Sequence, residues 1–316
     1  MPRAVGVEAG PRASKNRYVS FREFSRKSLC EYRNVVLFAA VHLYALVGLC
    51  FVEWSAKWIA LLVFTYYSRM FGITGGYHRY FSHKAFKTGR VMQFLLAVLG
   101  AASMQKGVLW WASHHRHHHK HSDQEDDVHS PTRMGFVWAH CGWFLLSNDH
   151  AHVRWEYIPD LLVPELLWLE RNFMAPGAVL SVLLTALGGY PAFFWGFIVS
   201  TVLVWHGTFT INSLSHVYGS RRYATSDTSR NNFWLSLVTM GEGWHNNHHA
   251  YMFSASNGFH WFEWDPTYYT LYALSLAGLV HDLRPPAWDY LRTRELCAMP
   301  KGYVDSPERL GQVHRH

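Results

Sequence analysis

The fold class this 316-residue sequence predicts is an all-α integral membrane protein: four transmembrane helices below a cytosolic, histidine-rich cap. Two charge-free runs carry the membrane part, and histidine spacing carries the cap. From Asn34 to Val52 no charged residue occurs for 19 positions, and from Asn172 to Ser220 none occurs for 49. A crossing needs about 20 apolar residues at about 1.5 Å each. Around these runs lie His78 and His83, then His115, His118 and His119, then His245, His248 and His249.

His245, His248 and His249 form an H-x-x-H-H cluster. At about 100° per residue, positions i, i+3 and i+4 share one helix face, so three imidazoles are expected to enter one small volume. Neutral imidazole suits iron, zinc, copper or nickel better than magnesium or calcium. A histidine-rich turn on a solvated surface would show the same spacing, and one cluster alone does not separate the two. The chain repeats the pattern at His115, His118 and His119. His78 and His83 form an H-x4-H pair, about 140° apart on an ideal helix, which requires a frayed helix or approach from different sides. Eight imidazoles exceed the needs of one ion, so the cap is expected to hold a di-metal centre.

Hydrophobic residues reach 49%, with 15 Trp, 17 Tyr and 20 Phe, so much of the chain is buried or in lipid. The mean hydropathy of −0.08 averages apolar runs with segments rich in His, Arg and Trp, and the runs decide the question. A net charge of +7 with His neutral suits anionic lipid or a phosphate-bearing substrate, and no nucleic-acid-binding motif accompanies it. Cys30, Cys50, Cys141 and Cys297 include no C-x-x-C pair. That argues against a disulfide framework, a zinc ribbon or an iron–sulfur cluster, and fits a reducing compartment. The sequence has no Ser/His/Asp grouping, no Gly-rich dinucleotide loop and no haem-binding His-Pro-Gly-Gly module.

Residues 1–33 read as a basic cytoplasmic tail without a signal peptide, since eight Lys or Arg precede Asn34 and no apolar run does. Span one is expected at 34–52 and span two at 58–77, the latter interrupted only by Arg69, a charge that must be partnered or snorkel. Spans three and four are expected at 172–189 and 191–211, joined at Gly188-Gly-Tyr-Pro191. The runs Val91–Gln105, Met134–Asn148 and Pro266–His281 are too short to cross and read as interfacial or packed on the cap. Residues 286–316 read as a C-terminal tail. With four crossings, all three boxes and both termini fall on one side. Ten Lys or Arg between Arg79 and Arg171, against Lys57 alone in the opposite turns, make that side cytoplasmic.

His78-Arg-Tyr-Phe-Ser-His83, His115-Arg-His-His-His119, Ile211-Asn-Ser-Leu-Ser-His216 and Gly241-Glu-Gly-Trp-His-Asn-Asn-His-His249 resemble the motifs of the membrane fatty acyl-CoA desaturases, the stearoyl-CoA desaturase type and its bacterial branch especially. The likeness covers residues 34–285. It implies a mushroom-like four-helix stem with a cytosolic cap, and two irons held by His78, His83, His115, His118, His119, His216, His245, His248 and His249. Asn212 would orient a bound water. It also implies O2-dependent desaturation of a long saturated acyl thioester, an acyl-CoA, between carbons 9 and 10. Electrons would come from a ferredoxin or a b-type cytochrome, and the bacterial inner membrane would hold the protein. Removing two hydrogens from an unactivated chain needs a strongly oxidising cofactor, which the protein positions.

The second box carries a rival stripe, since His114, His117, His118 and His121 also fall at i, i+3, i+4 and i+7; the resemblance selects His115, His118 and His119. Asp123 and Asp127 belong either to a solvated acidic loop or to the second N–H of a ligand, and Glu242 shares that ambiguity. His42, His206 and His281 read as core or interface histidines. Trp110, Trp111, Trp143 and the run Phe259–Trp264 either line an acyl tunnel or form interfacial belts. A related di-iron hydroxylase or ketolase would share the boxes. A non-catalytic metal-binding protein or transporter would instead place ligands at the bilayer midplane.

Overall fold

The computed structural model describes residues 33–147 and 150–296. Of the tails expected at 1–33 and 286–316, residues 1–32 and 297–316, with Cys30 and Cys297, lie outside the described residues, whereas residues 286–296 are described and pack Leu291 against Tyr223 and Phe259. Helix α1 (Arg33–Gly48) turns through residues 49–55 into α2 (Ala56–Phe71). The hydroxyl of Ser55 caps α2, accepting from the Trp58 amide at 3.5 Å. Without a break, α2 runs into a wide-turned segment, Gly72–Ser82, whose amides reach back five residues instead of four. Helices α3 (Arg90–Ala101), α4 (Val108–His121) and α5 (Pro164–Arg171) follow. Next come α6 (Ala175–Phe193), the wide turns Phe194–Val199, and α7 (Ser200–Ser213). The cap closes with α8 (Phe233–Val238), α9 (His245–Ala250), α10 (Pro266–Leu276) and α11 (Trp288–Arg292). The only regular sheet among the described residues pairs β1 (Lys87–Thr88) antiparallel with β2 (Val280–His281), Lys87 opposite His281.

Among the described residues, one helical run, Ala175–His216, is long and apolar enough by length and composition to cross a membrane. It is not straight. Gly189 has φ 67° and ψ −161°, a conformation open to glycine at little cost, and helical geometry breaks there. A Cβ on Gly196 would lie 3.2 Å from Leu184 Cδ1, although twelve residues of straight helix would separate them by about 18 Å. The run therefore folds back as a hairpin, with its arms where the sequence placed spans three and four. α2 packs along it, Leu61 against Gly196, and Tyr66 and Met70 against Gly207. Phe194 lies against Gly48 of α1. Leu43, Leu46, Phe64, Val182 and Leu187 point outward from these arms, an apolar exterior beyond what a water-facing surface usually carries.

Arg69 is partnered rather than snorkelling. Its guanidinium is buried and donates to Thr201 Oγ1 at 2.6 Å, to Ser200 Oγ and to the Thr65 carbonyl at 3.2 Å. Of the shorter apolar runs, α3 packs on the Gly72–Ser82 segment, and α10 leads into β2. That α3 contact is backbone on backbone, since a Cβ on Gly72 would fall 2.6 Å from Gly100 N. Gly72→Ala is expected to cost about 1–3 kcal/mol through overpacking. Gly89→Ala, with open space around its Cβ position, is the control. Thermal unfolding in detergent that left the two variants equal would contradict this packing.

Candidate metal centre

The first box sits on the wide-turned segment, which resolves its spacing. The His83 amide donates to the His78 carbonyl at 3.2 Å, a five-residue reach. Residues five apart are thus one turn apart, and the rings meet at 4.8 Å between centroids. Arg116 of α4 fastens the end of this segment, donating to the carbonyls of Phe81 at 2.5 Å and Ser82 at 2.9 Å.

The nine histidines singled out in the sequence come together in two groups. His78, His83, His115, His119 and His248 form one, and His118, His216, His245 and His249 the other, with the ligand atoms of each within 4.8 Å of one another. In the first, His83 and His115 bring Nε2 atoms to 2.8 Å, His119 and His248 to 2.9 Å, and His78 and His248 to 3.0 Å. In the second, His216 and His245 approach to 3.1 Å. The groups adjoin, the His119 and His249 rings stacking at 4.5 Å. Each H-x-x-H-H box therefore serves both volumes, not the single one expected. His118 and His119, like His248 and His249, are neighbours about 100° apart on a helix and turn to different groups.

The rival stripe turns away. His114 Nε2 lies 3.0 Å from the His152 carbonyl, and His117 packs on His121 and Tyr157. The two Asn of the third box also point away from the centre and pin α9. Asn246 Oδ1 accepts from the amides of Arg222 and Tyr223, both at 2.8 Å. Asn247 Nδ2 donates to Glu263 Oε2 at 2.8 Å, and Asn231 Oδ1 accepts the amides of both Asn.

Four carboxylates aim the rings from behind. Glu242 Oε2 lies 2.7 Å from His78 Nδ1, Asp127 Oδ1 3.0 Å from His118 Nδ1, Asp123 Oδ2 3.3 Å from His216 Nδ1 and Asp227 Oδ2 2.6 Å from His249 Nδ1. At His118, His216 and His249, whose Nδ1 atoms are hydrogen-bonded in this way, Nε2 faces inward as a lone pair; Glu242 meets His78 at ion-pair distance without hydrogen-bond geometry. Asp123, Asp127 and Glu242 were ambiguous in the sequence. Asp227 was missed, because its loop shows no spacing signal. Arg79 was missed too: fully buried, it donates to Glu242 Oε1 at 3.0 Å and to Asp265 Oδ2 at 2.9 Å. His129, also unanticipated, lies 4.3 Å from His118 between ring centroids, tilted by 33°.

Burial, then the neighbouring imidazoles, holds His83, His115, His119, His245 and His248 well below the ordinary histidine pKa. For His118 burial acts downward, but the Asp127 charge and hydrogen bond override it and raise the pKa. Burial alone would raise Asp127 and Asp227, but the facing His118 and His249 hold them below the usual carboxylate range.

A cavity of about 680 Å³ opens beside the clusters, lined by Trp110, Trp111, His115, Trp143, Phe209 and Asn212 among others. A second, about 40 Å³, shares Trp111, His115, Thr208 and Asn212 with it and continues to Met70, His78 and His245. The run Phe259–Trp264 lines neither: Phe259 is buried against Tyr223 and Leu291, whereas Trp261 and Trp264 are exposed.

A helical protein with neutral imidazoles converging in two adjoining groups, no thiolate among them and an apolar cavity alongside, has the build of a metal-dependent enzyme for an apolar substrate. Residues 53–280 match the model of the fatty acid desaturase family, and the chain belongs to that family. It is therefore an oxidoreductase of lipid metabolism and membrane-associated. It is 39% identical to an sn-2 palmitoyl-lipid 9-desaturase of Nostoc sp. over 254 residues, 78% of this chain and 87% of the relative. An sn-1 stearoyl-lipid 9-desaturase of Synechocystis sp. is 36% identical over 255 residues, 80% of each chain. An acyl-CoA 5-desaturase of Anemone leveillei is 35% identical over 257 residues, 80% of this chain and 79% of the relative.

The depressed histidines fix a sign for pH dependence. Unfolded, these rings titrate near 6.5; folded, they stay neutral to lower pH, so below about 6.5 the unfolded chain binds more protons. His118 works oppositely, but it is one ring against five. Metal-free protein is expected to lose stability as pH falls from about 7 to about 5. A flat or rising profile in denaturant titrations would contradict this. The carboxylates act lower, their contribution being present above about 3.9 and lost as pH falls beneath it.

Proposed function

We propose that the chain is an O2-dependent desaturase that places a double bond at carbon 9 of a long saturated acyl chain. Two irons would be held by His78, His83, His115, His119 and His248 and by His118, His216, His245 and His249. The observation that carries this reading is the convergence of the two imidazole groups at the junction of the two cavities. Each ring nitrogen can satisfy only one hydrogen-bond partner, so four or five nitrogens facing one small volume fit an ion better than one another. Imidazole without thiolate suits iron, zinc or copper.

When bound, the irons supply an oxidant drawn from O2. The chain's own residues do the rest. The four carboxylates fix the rings, Asn212 faces the junction beside His115 and orients a water there, and Trp111 and Thr208 flank the path of the acyl chain. Two electrons and two protons must enter with each O2 to leave two waters. The electrons come from a separate ferredoxin or b-type cytochrome.

Four crossings, α1, α2 and the two hairpin arms, would leave the clusters and both termini in the cytoplasm, in a bacterial inner membrane. The common volume reached by boxes following different arms supports that parity. On the carrier, the resemblance favours CoA, whereas relatives named as acyl-lipid desaturases favour a glycerolipid. Each buried CH₂ contributes about 0.8 kcal/mol, so the chain supplies ample binding energy on either carrier.

Purified protein given a reductant, O2 and palmitoyl and stearoyl chains, each as CoA thioester or as glycerolipid, is expected to yield the 9-unsaturated product of both chain lengths on one of the two carriers. A hydroxylated product, or a bond at a fixed distance from the methyl end, would overturn the reading. His118→Ala is expected to abolish product while leaving membrane insertion intact, and His117→Ala to retain substantial activity; reversed phenotypes would reinstate the other stripe. Asp227→Asn is expected to weaken metal binding by about 10–100-fold through loss of its hold on His249, and unchanged affinity in a chelator competition would contradict that role.

A further inference from the structure

Apart from the two clusters, three imidazoles form a continuous chain between α1, the wide turn Trp138–Gly142 and α7. His42 Nδ1 lies 2.6 Å from the Phe38 carbonyl, and His42 Nε2 lies 2.8 Å from His206 Nε2. His206 Nδ1 lies 2.9 Å from His140 Nε2, and His140 Nδ1 lies 3.0 Å from Ser213 Oγ. A carbonyl only accepts, so His42 donates through Nδ1 and its Nε2 must accept. The rest follows in order. His206 donates through Nε2 and accepts at Nδ1 from His140 Nε2, and His140 Nδ1 meets the Ser213 hydroxyl, which it shares with the Phe209 carbonyl at 3.0 Å. Every ring nitrogen is engaged. Burial, with His206 alongside, pushes the pKa of His140 down to about 4, in keeping with a neutral ring.

Two other readings fail on this geometry. The nitrogens of His206 face opposite neighbours, so one ion could not take all three rings. The terminal carbonyl has no proton to give, so the chain does not deliver protons from that end. What the chain does join is the cavity wall. Phe38, Phe144 and Phe209 line the large cavity. Phe38 sits 4.1 Å from the His42 ring, Phe209 lies 5.7 Å from His140 and 5.9 Å from His206, and Phe144 lies 5.0 Å from Phe209. Val41 and Trp205, the sequence neighbours of His42 and His206, line the cavity as well. Asn212, beside the clusters, lies seven residues beyond Trp205, about 10 Å along a helix. The chain thus runs along the cavity wall, from Ser213 beside Asn212 to His206 and His42 at the end farther from the imidazole clusters.

We propose that the His42–His206–His140–Ser213 chain is a positioning device that fixes this aromatic wall, making His206 a determinant of acyl chain length and double-bond position. The proposal rests on the desaturase reading. His206→Phe keeps an aromatic ring but removes both hydrogen bonds, whereas His206→Gln keeps a donor and an acceptor. Membranes carrying each form would be supplied with saturated acyl chains of graded length, and product length, bond position and bound iron measured. His206→Phe is expected to shift the ratio of long to short products by roughly tenfold per methylene of altered wall, or to move the bond, with iron content unchanged. His206→Gln is expected to restore the wild-type spectrum. An unchanged spectrum in His206→Phe, or a uniform loss of all products in step with lost iron, would overturn the proposal. Should His206→Phe fail to accumulate, Ser213→Ala, which frees the His140 end of the chain and the Phe209 carbonyl, must shift the same spectrum; no shift there is equally fatal. Wild-type protein without any product would sink the desaturase reading instead.

Discussion

Nine imidazoles turned inward on two adjoining volumes are the constraint around which the structure is arranged. Bringing so many ring nitrogens together costs desolvation, which is why five of the rings resist protonation. Four of the rings are held from outside the centre, where Glu242, Asp123, Asp127 and Asp227 stand against their Nδ1 atoms. Arg79 in turn pairs with both Glu242 and Asp265. Buried charge is tolerated here because every member has a partner.

The stem and the centre are mechanically one object. α2 passes into the segment that carries His78 and His83, and α7 runs through Asn212 to His216. Contacts such as Tyr66 and Met70 against Gly207 therefore set the separation of ligands that lie beyond the helix ends. The apolar cavity is lined by α1, α4 and α7, and α4 also carries His115, His118 and His119, so the surface that would receive a chain and rings that would hold metal share an element. That coupling is what a reaction on one chosen methylene pair requires.

Much of this was legible in the sequence, for identifiable reasons. Charge-free runs marked the arms, and the Gly188-Gly-Tyr-Pro191 joint fell at the break seen at Gly189. The H-x-x-H-H spacing picked out rings that converge in the structure because i, i+3 and i+4 positions follow from helix geometry alone. It did not reveal that neighbouring rings part company, because that depends on where the other helices stand. The H-x4-H pair was opaque for a local reason: its spacing makes sense only on a wide-turned helix, and Gly72, Gly75 and Gly76 signalled a loosened helix without specifying which kind. Asp227, Arg79 and His129 were illegible because their partners lie far away in sequence. The hydrogen-bonded chain through His42, His140 and His206 was hidden likewise, its members sitting on three separate elements.

The measurement that bears most directly on the two-centre account is iron K-edge X-ray absorption, with metal analysis, on protein purified from iron-supplied cells. The account requires two irons per chain, each surrounded by nitrogen and oxygen scatterers only. Zinc in overexpressed protein would follow from its place above ferrous iron in the affinity order, and iron reconstitution removes that complication. A single iron per chain after reconstitution, or sulfur in the coordination sphere, would contradict it.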